Sequence, residues 1–169
     1  MARARRFWLL KSEPEAFSIH DLAARPQQTT CWDGVRNYQA RNFLRDDMKL
    51  GDGVLFYHSG GEQPAVVGTA IVVREGYPDD TAWRKNDPHF DAKASPDKPI
   101  WQMVDIRLEE IFATPLALEA LRGVKSLATM ELLRRGSRLS VQPVTKAEFD
   151  AILKLAHTSA SRVKSGKKM

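Results

Sequence analysis

WDGVRNYQARNFLR, residues 32–45, places a turn with a glycine before a segment of helical spacing. Asn37 is a residue type that caps helix N-termini, so the stretch predicts a helix from Tyr38 to about Asp46. Apolar residues at helical spacing predict a buried stripe of Ala40, Phe43, Leu44 and Met48. The opposite side carries Tyr38, Arg41, Asn42 and Arg45, with Trp32, Gly34 and Arg36 in the turn. Two interpretations are open: a turn before an ordinary surface helix, or a surface that holds a flat, polar, partly anionic ligand such as a nucleotide.

Length and composition predict one intracellular domain. The chain has 169 residues, of which 43% are hydrophobic, enough for a single core. Its one cysteine, Cys31, excludes an intrachain disulfide and gives no sign of a secreted scaffold. The apolar run at residues 7–10 is too short for a signal peptide or a membrane span. We therefore expect a protein of the cytoplasm, or of the nucleus in a eukaryote, with no membrane association.

The net charge of +5 is concentrated at the two ends of the chain. The terminal cations are Arg3, Arg5, Arg6, Arg162, Lys164, Lys167 and Lys168. Without them, 19 basic and 21 acidic residues remain, so a long polyanion cannot be held by charge neutralisation alone and any site must be local. We expect a basic arm at residues 1–6, a domain at residues 7–158 and a disordered basic tail at residues 159–169. The tail is either a solubilising end or an electrostatic arm.

Short strands that alternate with short helices predict an α+β fold. We expect strands at residues 6–13, 54–59, 65–76, 100–112 and 138–144, and helices at residues 18–27, 116–123, 126–136 and 145–157. Residues 77–99 form a long excursion, and Gly68 marks a bulge. On the strand at residues 100–112, Val104, Ile106 and Leu108 face the core, and Trp101, Met103, Asp105 and Arg107 face the other way. The absence of βαβ spacing and of a glycine-rich phosphate loop favours a mixed, partly closed barrel.

Enzyme chemistry finds weak support in the sequence. Cys31 and His58 resemble a thiol-hydrolase pair, but the apolar flanks of Cys31 indicate a buried structural residue. Asp87, His89 and Asp91 alternate in a loop, yet no further ligand completes a metal shell. We therefore expect no metal and no cofactor. A hydrolase of modified nucleosides, with His58, Glu13 or Asp105 as its general base, stays open, as does a protein-interaction surface at residues 77–99.

Six stretches in order resemble the EVE domain family: LLKSEPEAFSIHDL, WDGVRNYQARNFLR, LFYHSGG, YPD, IWQMVDI and RLSVQPVT. The resemblance spans residues 7–155 and implies a PUA-like fold, a small twisted β-barrel flanked by short helices and related to YTH and ASCH domains. It also implies a monomeric, non-enzymatic reader that flips a modified base of DNA or RNA into an aromatic and polar pocket. Carried over to this chain, the pocket residues are Ser12, Glu13, Trp32, Val35, Arg36, Asn37, His58, Ser59, Trp101 and Asp105.

Three further expectations concern how this pocket works. Trp32 and Trp101 contact the base from different directions, although Trp32 taken alone suits the core better than a binding site. Ser12, Asn37 and Asp105 supply the selectivity for the modified base. Arg41 and Arg45, on the polar side of the helix after Asn37, contact the nucleic-acid backbone.

Overall fold

A single mixed sheet of six strands carries the fold in the computed structural model, which describes residues 4–167 and the side chains of residues 4–158. The strands are β1 (Phe7–Ser12), β2 (Thr29–Cys31), β3 (Gly53–His58), β4 (Ala65–Pro78), β5 (Gln102–Ala117) and β6 (Val141–Val144). The helices are α1 (Ile19–Ala24), α2 (Tyr38–Asn42), α3 (Leu118–Arg122) and α4 (Lys146–Lys167). The expected α+β class is confirmed.

The strand order is β2-β5-β4-β3-β1-β6, with only β1 and β3 parallel. Within the described residues the edge strands β2 and β6 do not pair, so the barrel is open along one side. The bulge expected at Gly68 is confirmed, since the register of β4 against β5 shifts between Val66 and Gly68. A Cβ atom at Gly68 would lie 2.2 Å from the Glu110 carbonyl oxygen, so this close approach requires glycine.

β1 lies between β3 and β6 in the sheet and is buried on both faces, because one core packs on each face. Trp8 and Leu10 belong to the main core, and Phe7 and Leu9 belong to a second core under α3 and α4. The Trp8 indole N–H donates to the buried carboxylate of Asp52 at 2.9 Å, which satisfies both polar groups.

The helix that follows the turn begins where the sequence predicts. The Asn37 side-chain oxygen accepts from the Ala40 N–H at 2.9 Å, and α2 starts at Tyr38. A single π-turn, Phe43–Asp47, continues α2, closed by a bond from the Met48 N–H to the Phe43 carbonyl. The predicted stripe is confirmed, since Ala40, Leu44 and Met48 are fully buried and Phe43 packs against them.

Two capping boxes fix other helices. Ser18 and Asp21 exchange side-chain and backbone hydrogen bonds at the start of α1, and Thr145 and Glu148 do so at α4. α1 ends before Pro26, as expected, and a short 3₁₀ turn, Pro26–Gln28, follows.

Other elements differ from the prediction. The prediction of a helix at residues 126–136 is wrong, because the chain makes two 3₁₀ turns there, Lys125–Leu127 and Glu131–Leu133. Leu127, Met130 and Leu132 are all buried in the second core, and their spacing does not fit one helical stripe. Strands β4 and β5 run to Pro78 and Ala117, farther than expected.

Parts of the two terminal segments have a defined place in the structure. Arg5 donates to the Gly51 carbonyl at 2.7 Å and covers the Phe7 ring, and Arg6 covers the Trp8 ring, so both pack on the domain. Arg3 lies outside the described residues. α4 runs to Lys167 and enters the segment for which disorder was expected, and Lys168 lies beyond the described chain.

Candidate ligand-binding pocket

A cavity of about 460 Å³ opens beside the ends of β1 and β2, and its volume is in the range of ligand sites. Strand ends and the turn after β2 form most of its wall. The lining residues are Lys11, Ser12, Ala16, Phe17, Arg25, Thr30, Cys31, Trp32, Asp33, Gly34, Val35, His89 and Ser140.

Aromatic rings form one side of the cavity. Trp32 is only 6% exposed and meets the rings of Phe56 and Phe17 edge to face, with centroid distances of 5.4 and 6.2 Å. Its backbone N–H donates to the Val104 carbonyl at 2.7 Å. Trp32 therefore belongs to the main core and also lines the cavity. The Arg25 guanidinium covers the Phe17 ring at 5.3 Å.

Asp33 is half-buried and lines the cavity. Burial raises the pKa of Asp33, and the negative charge of Asp79 raises it further. Both effects favour the neutral acid, which can donate one hydrogen bond and accept others.

Lys11 lines the cavity, but its ammonium packs on an aromatic ring of the second core. Its ammonium lies over the Tyr57 ring at 5.9 Å, and Tyr57 belongs to the second core on the other face of the sheet. Burial lowers the pKa of Lys11, although the charge of Glu131 opposes that effect.

The Asp79 carboxylate stabilises the turn at Gly34. The Gly34 N–H donates to the Asp79 carboxylate at 2.8 Å, and the Arg36 guanidinium pairs with the same oxygen at 3.0 Å. Burial alone raises the pKa of Asp79, but hydrogen bonds from Thr81, Gly34 and Arg36 outweigh burial and leave the pKa below its usual value.

Arg36 and His89 complete this support. Arg36 also donates to the His89 carbonyl at 2.7 and 3.0 Å, which fastens the loop after Asp79 to the turn. Gly34 has a φ of +79°, and a Cβ atom there would lie 2.5 Å from the His89 ring. Glycine is thus required, and Arg36 positions the wall without lining it.

Of the ten predicted pocket residues, Ser12, Trp32 and Val35 line this cavity. The Ser12 hydroxyl donates to the Phe17 carbonyl at 2.7 Å, so it holds the loop that carries Phe17. Val35 is 5% exposed and also packs in the main core.

Three predicted residues lie near the cavity but outside its wall. Glu13 is exposed, and its carbonyl closes the turn to Phe17. The His58 Nε2 accepts from the Ile19 N–H at 3.1 Å, and burial lowers the pKa of His58, so the ring is neutral. The Ser59 N–H donates to the Ser12 carbonyl at 3.0 Å. His58 and Ser59 thus connect β3 to α1 and β1.

Trp101 does not line the cavity, so the structure does not bring Trp32 and Trp101 together there. Trp101 precedes β5, stacks on Tyr38 at 4.9 Å and donates from its indole N–H to Asp91 at 2.7 Å. It is buried in a small third core with Ala82 and Ala94, which the loop after β4 supplies.

Asn37 and Asp105 have structural partners as well. The Asn37 side chain is the helix cap described above. Asp105 accepts from the Tyr77 hydroxyl at 2.5 Å. Burial raises the pKa of Tyr77, and its hydrogen bond to Asp105 raises it further. Neither Asn37 nor Asp105 lines the cavity, so neither side chain is placed to contact a base there.

Val104 and Ile106 are fully buried, which confirms their predicted core positions on β5. Met103 is also buried, at 5% exposure, although the alternation placed it on the opposite face. The sheet packs on both faces here, so alternation alone does not separate core from surface.

The predicted backbone contacts, Arg41 and Arg45, do not line the cavity either. Arg41 donates to the Ile100 carbonyl at 3.0 Å and to the Asn42 side chain. Arg45 forms two hydrogen bonds of 2.8 Å with the adjacent Asp46. Both guanidiniums thus already have partners within the fold.

Cys31 is exposed, so the expectation of a buried cysteine is wrong. Surrounding protein atoms still desolvate the thiol enough to raise its pKa, and the charge of Asp33 adds to this. A raised pKa keeps the sulfur as a thiol, which is a poor nucleophile.

Among the described residues, no group of three side chains could hold a metal ion. In the loop at residues 87–91, the His89 Nδ1 lies 3.2 Å from the Asp87 carboxylate, and Asp91 accepts a hydrogen bond from the Trp101 indole N–H. None of the described helices combines the length and apolar character that a membrane crossing requires.

Sequence reasoning missed Phe17, Arg25, Asp33 and His89 as parts of the cavity wall. Asp33 could have been predicted from the sequence, because it lies between Trp32 and a glycine turn, inside the most unusual stretch of the chain. No sequence pattern indicates Phe17 or His89, since loop folding alone brings them to the cavity.

Comparisons with known proteins agree with this architecture. Thymocyte nuclear protein 1 of Rattus norvegicus is 47% identical over 172 residues, which cover 92% of this chain and 75% of that protein. A solved hypothetical protein from Leishmania major is 46% identical with a TM-score of 0.88, covering 93% of this chain and 98% of that one. The human THYN1 protein, solved in complex with 5-methylcytosine-containing DNA, is 45% identical with a TM-score of 0.84, covering 89% and 97%.

The fold shared with these structures is the PUA-like one, here with an open sheet. The EVE domain model matches residues 6–155, nearly the whole described chain. The predicted resemblance is therefore confirmed, and the chain belongs to the EVE domain family.

Proposed function

We propose that this protein binds DNA that carries a modified base of the 5-methylcytosine class and holds that base in the cavity beside Trp32. The similarity to the human protein solved with 5-methylcytosine-containing DNA carries the proposal, because it extends over 89% of this chain. The cavity supports it with aromatic rings and a carboxyl in one enclosed space.

Aromatic contact supplies affinity but little discrimination. Stacking a base on an aromatic ring contributes about 1 to 3 kcal/mol for any base. One extra buried methyl group contributes about 0.8 kcal/mol, a factor of about four in affinity. A reader of cytosine thus needs a polar group matched to the base edge.

Asp33 suits that role. Cytosine presents an N4 amine that donates and an N3 atom that accepts. In its protonated form the Asp33 carboxyl would accept from N4 and donate to N3 at once, and burial and the charge of Asp79 raise the Asp33 pKa in the direction that favours this form. In this proposal Asp33 reads the base, while Ser12 holds Phe17 in place.

The base must leave its stack to enter the cavity. Flipping costs a few kcal/mol from a duplex and less from single-stranded or weakened DNA. We therefore expect single-stranded oligonucleotides to bind more tightly than the same sequence paired.

The positions of the suggested catalytic groups favour binding without catalysis. His58 is neutral and bonded to Ile19, and Asp105 is bonded to Tyr77. Glu13 is exposed outside the cavity wall. None of the three is placed as a general base inside the cavity.

The test is a titration with single-stranded oligonucleotides that contain one 5-methylcytosine or one cytosine. We expect tighter binding of the methylated strand and no change in its base by mass spectrometry after incubation. Equal affinity for both strands would contradict the proposal, and a released or altered base would establish the hydrolase instead.

Two variants locate the site within the molecule. Phe17→Ala removes a ring of the cavity, whereas Tyr38→Ala removes an exposed ring that stacks on Trp101. We expect Phe17→Ala to weaken binding by about 5-fold to 150-fold, as for one lost stacking partner, and Tyr38→Ala to leave it unchanged. The reverse pattern in folded variants would place the base near Trp101.

A further inference from the structure

Residues 134–140 form a basic loop that is fixed beside the cavity. Its last residue, Ser140, lines the cavity and accepts from the Lys11 N–H at 2.9 Å. Leu139 packs against the main core, and the buried Gln142 donates to the Leu139 carbonyl at 3.0 Å. The loop is thus held in place at its cavity end.

The loop carries three exposed arginines, and only one of them is paired. Arg134 lies 3.1 Å from Glu131. Arg135 and Arg138 have no carboxylate within ion-pair distance in the described part of the chain. Arg138 is two residues from Ser140, so at most about 7.6 Å separates their Cα atoms.

We propose that Arg135 and Arg138 bind phosphates of the DNA strand that carries the flipped base, and this proposal rests on the proposed function. A flipped nucleotide stays joined to its strand, so its neighbouring phosphates must cross the rim of the cavity. Arginine pairs with phosphate through two parallel hydrogen bonds, and an unpaired arginine has all its donors available. Such contacts fix the position of the strand and carry no sequence information.

The contrast with Arg41 and Arg45 supports this assignment. Those guanidiniums already bond to Ile100, Asn42 and Asp46, so a phosphate would have to displace a partner. Among the described residues, Arg135 and Arg138 have no carboxylate partner that a phosphate would have to displace. The backbone contact predicted for the α2 side thus moves to the loop at residues 134–140.

The test is the salt dependence of oligonucleotide binding by the double variant Arg135→Ala/Arg138→Ala. Each phosphate contact contributes about 0.7 to the slope of log affinity against log salt on a single strand. We expect the slope to fall by about 1.4, with equal weakening for methylated and plain strands. The matched control is Lys125→Ala/Lys154→Ala, which removes the same charge from exposed residues that do not line the cavity. Its slope should equal that of the wild type.

An unchanged slope in the folded double variant would overturn the assignment, and so would an equal fall in the control. Charge reversal, Arg135→Glu/Arg138→Glu, provides a second variant with a larger expected loss. Equal wild-type affinity for the two strands would overturn the proposal that the cavity reads the base. The salt slopes of the variants would still decide whether Arg135 and Arg138 contact phosphates. A wild type that binds no oligonucleotide would overturn both proposals.

Discussion

Asp33 is the residue whose chemistry depends most on its surroundings. Its folded pKa is raised, so it binds a proton more readily in the folded chain than in the unfolded chain. Its contribution to stability is therefore present at low pH and is lost as the pH rises through the folded pKa. Asp33→Asn should raise the melting temperature at about pH 8, with the gain disappearing below the ordinary Asp pKa of about 4. An Asp33→Asn variant less stable than the wild type at high pH would contradict this account of Asp33.

Asp33 also predicts the pH dependence of binding. If its neutral acid reads cytosine, wild-type affinity falls as the pH rises from about 4 to 8. Asp33→Asn keeps one donor and one acceptor, so it should bind with less pH dependence, whereas Asp33→Ala should lose the preference for cytosine. Calorimetric titrations of the three proteins at several pH values measure this. Identical pH profiles in the wild type and Asp33→Asn would exclude the role.

Cys31 gives an independent report on the cavity, because it is the only cysteine of the chain and lies in the cavity wall. Its raised pKa predicts slow alkylation by iodoacetamide at neutral pH and faster reaction as the pH rises. A bound methylated oligonucleotide should slow this reaction further. Mass spectrometry follows the modification, and equal rates with and without saturating oligonucleotide would show that the ligand binds elsewhere.

At the scale of elements, the turn between β2 and α2 determines the shape of the cavity. Gly34→Ala imposes a strained φ and also a clash with His89. Gly60→Ala is a matched control, because Gly60 has a φ of +71° and no atom within 4 Å of a Cβ position. We expect Gly60→Ala to cost about 1 kcal/mol in the free energy of unfolding and Gly34→Ala to cost more. Urea unfolding measures both, and equal costs would show that the His89 contact is unimportant.

Local rules predict some elements of this chain and not others. The helix after Asn37 and both capping boxes follow from hydrogen bonds between residues close in sequence, so the sequence predicted them. The cavity wall does not, because Phe17 and His89 reach it through loops fixed by Ser12 and Arg36. Strand alternation placed Trp101 on the non-core face, but Trp101 precedes β5, which starts at Gln102, and lies buried in the third core.

At the scale of the whole molecule, the cavity lies at the open side of the sheet. The cavity wall combines the ends of β1 and β2 with the loop that precedes β6. β2 and β6 are the two edge strands, so the position of the cavity depends on long-range pairing that no local pattern specifies. Composition did indicate a local site, since the body of the chain carries no excess of positive charge.

A structure of the protein with a single-stranded oligonucleotide that contains one 5-methylcytosine tests the central claim most directly. We predict the methylcytosine ring in the cavity against Trp32 and Phe17, with its N4 and N3 atoms at the Asp33 carboxyl. A methylcytosine that lies against Tyr38 and Trp101, or that stays stacked in its strand outside the cavity, would contradict the account.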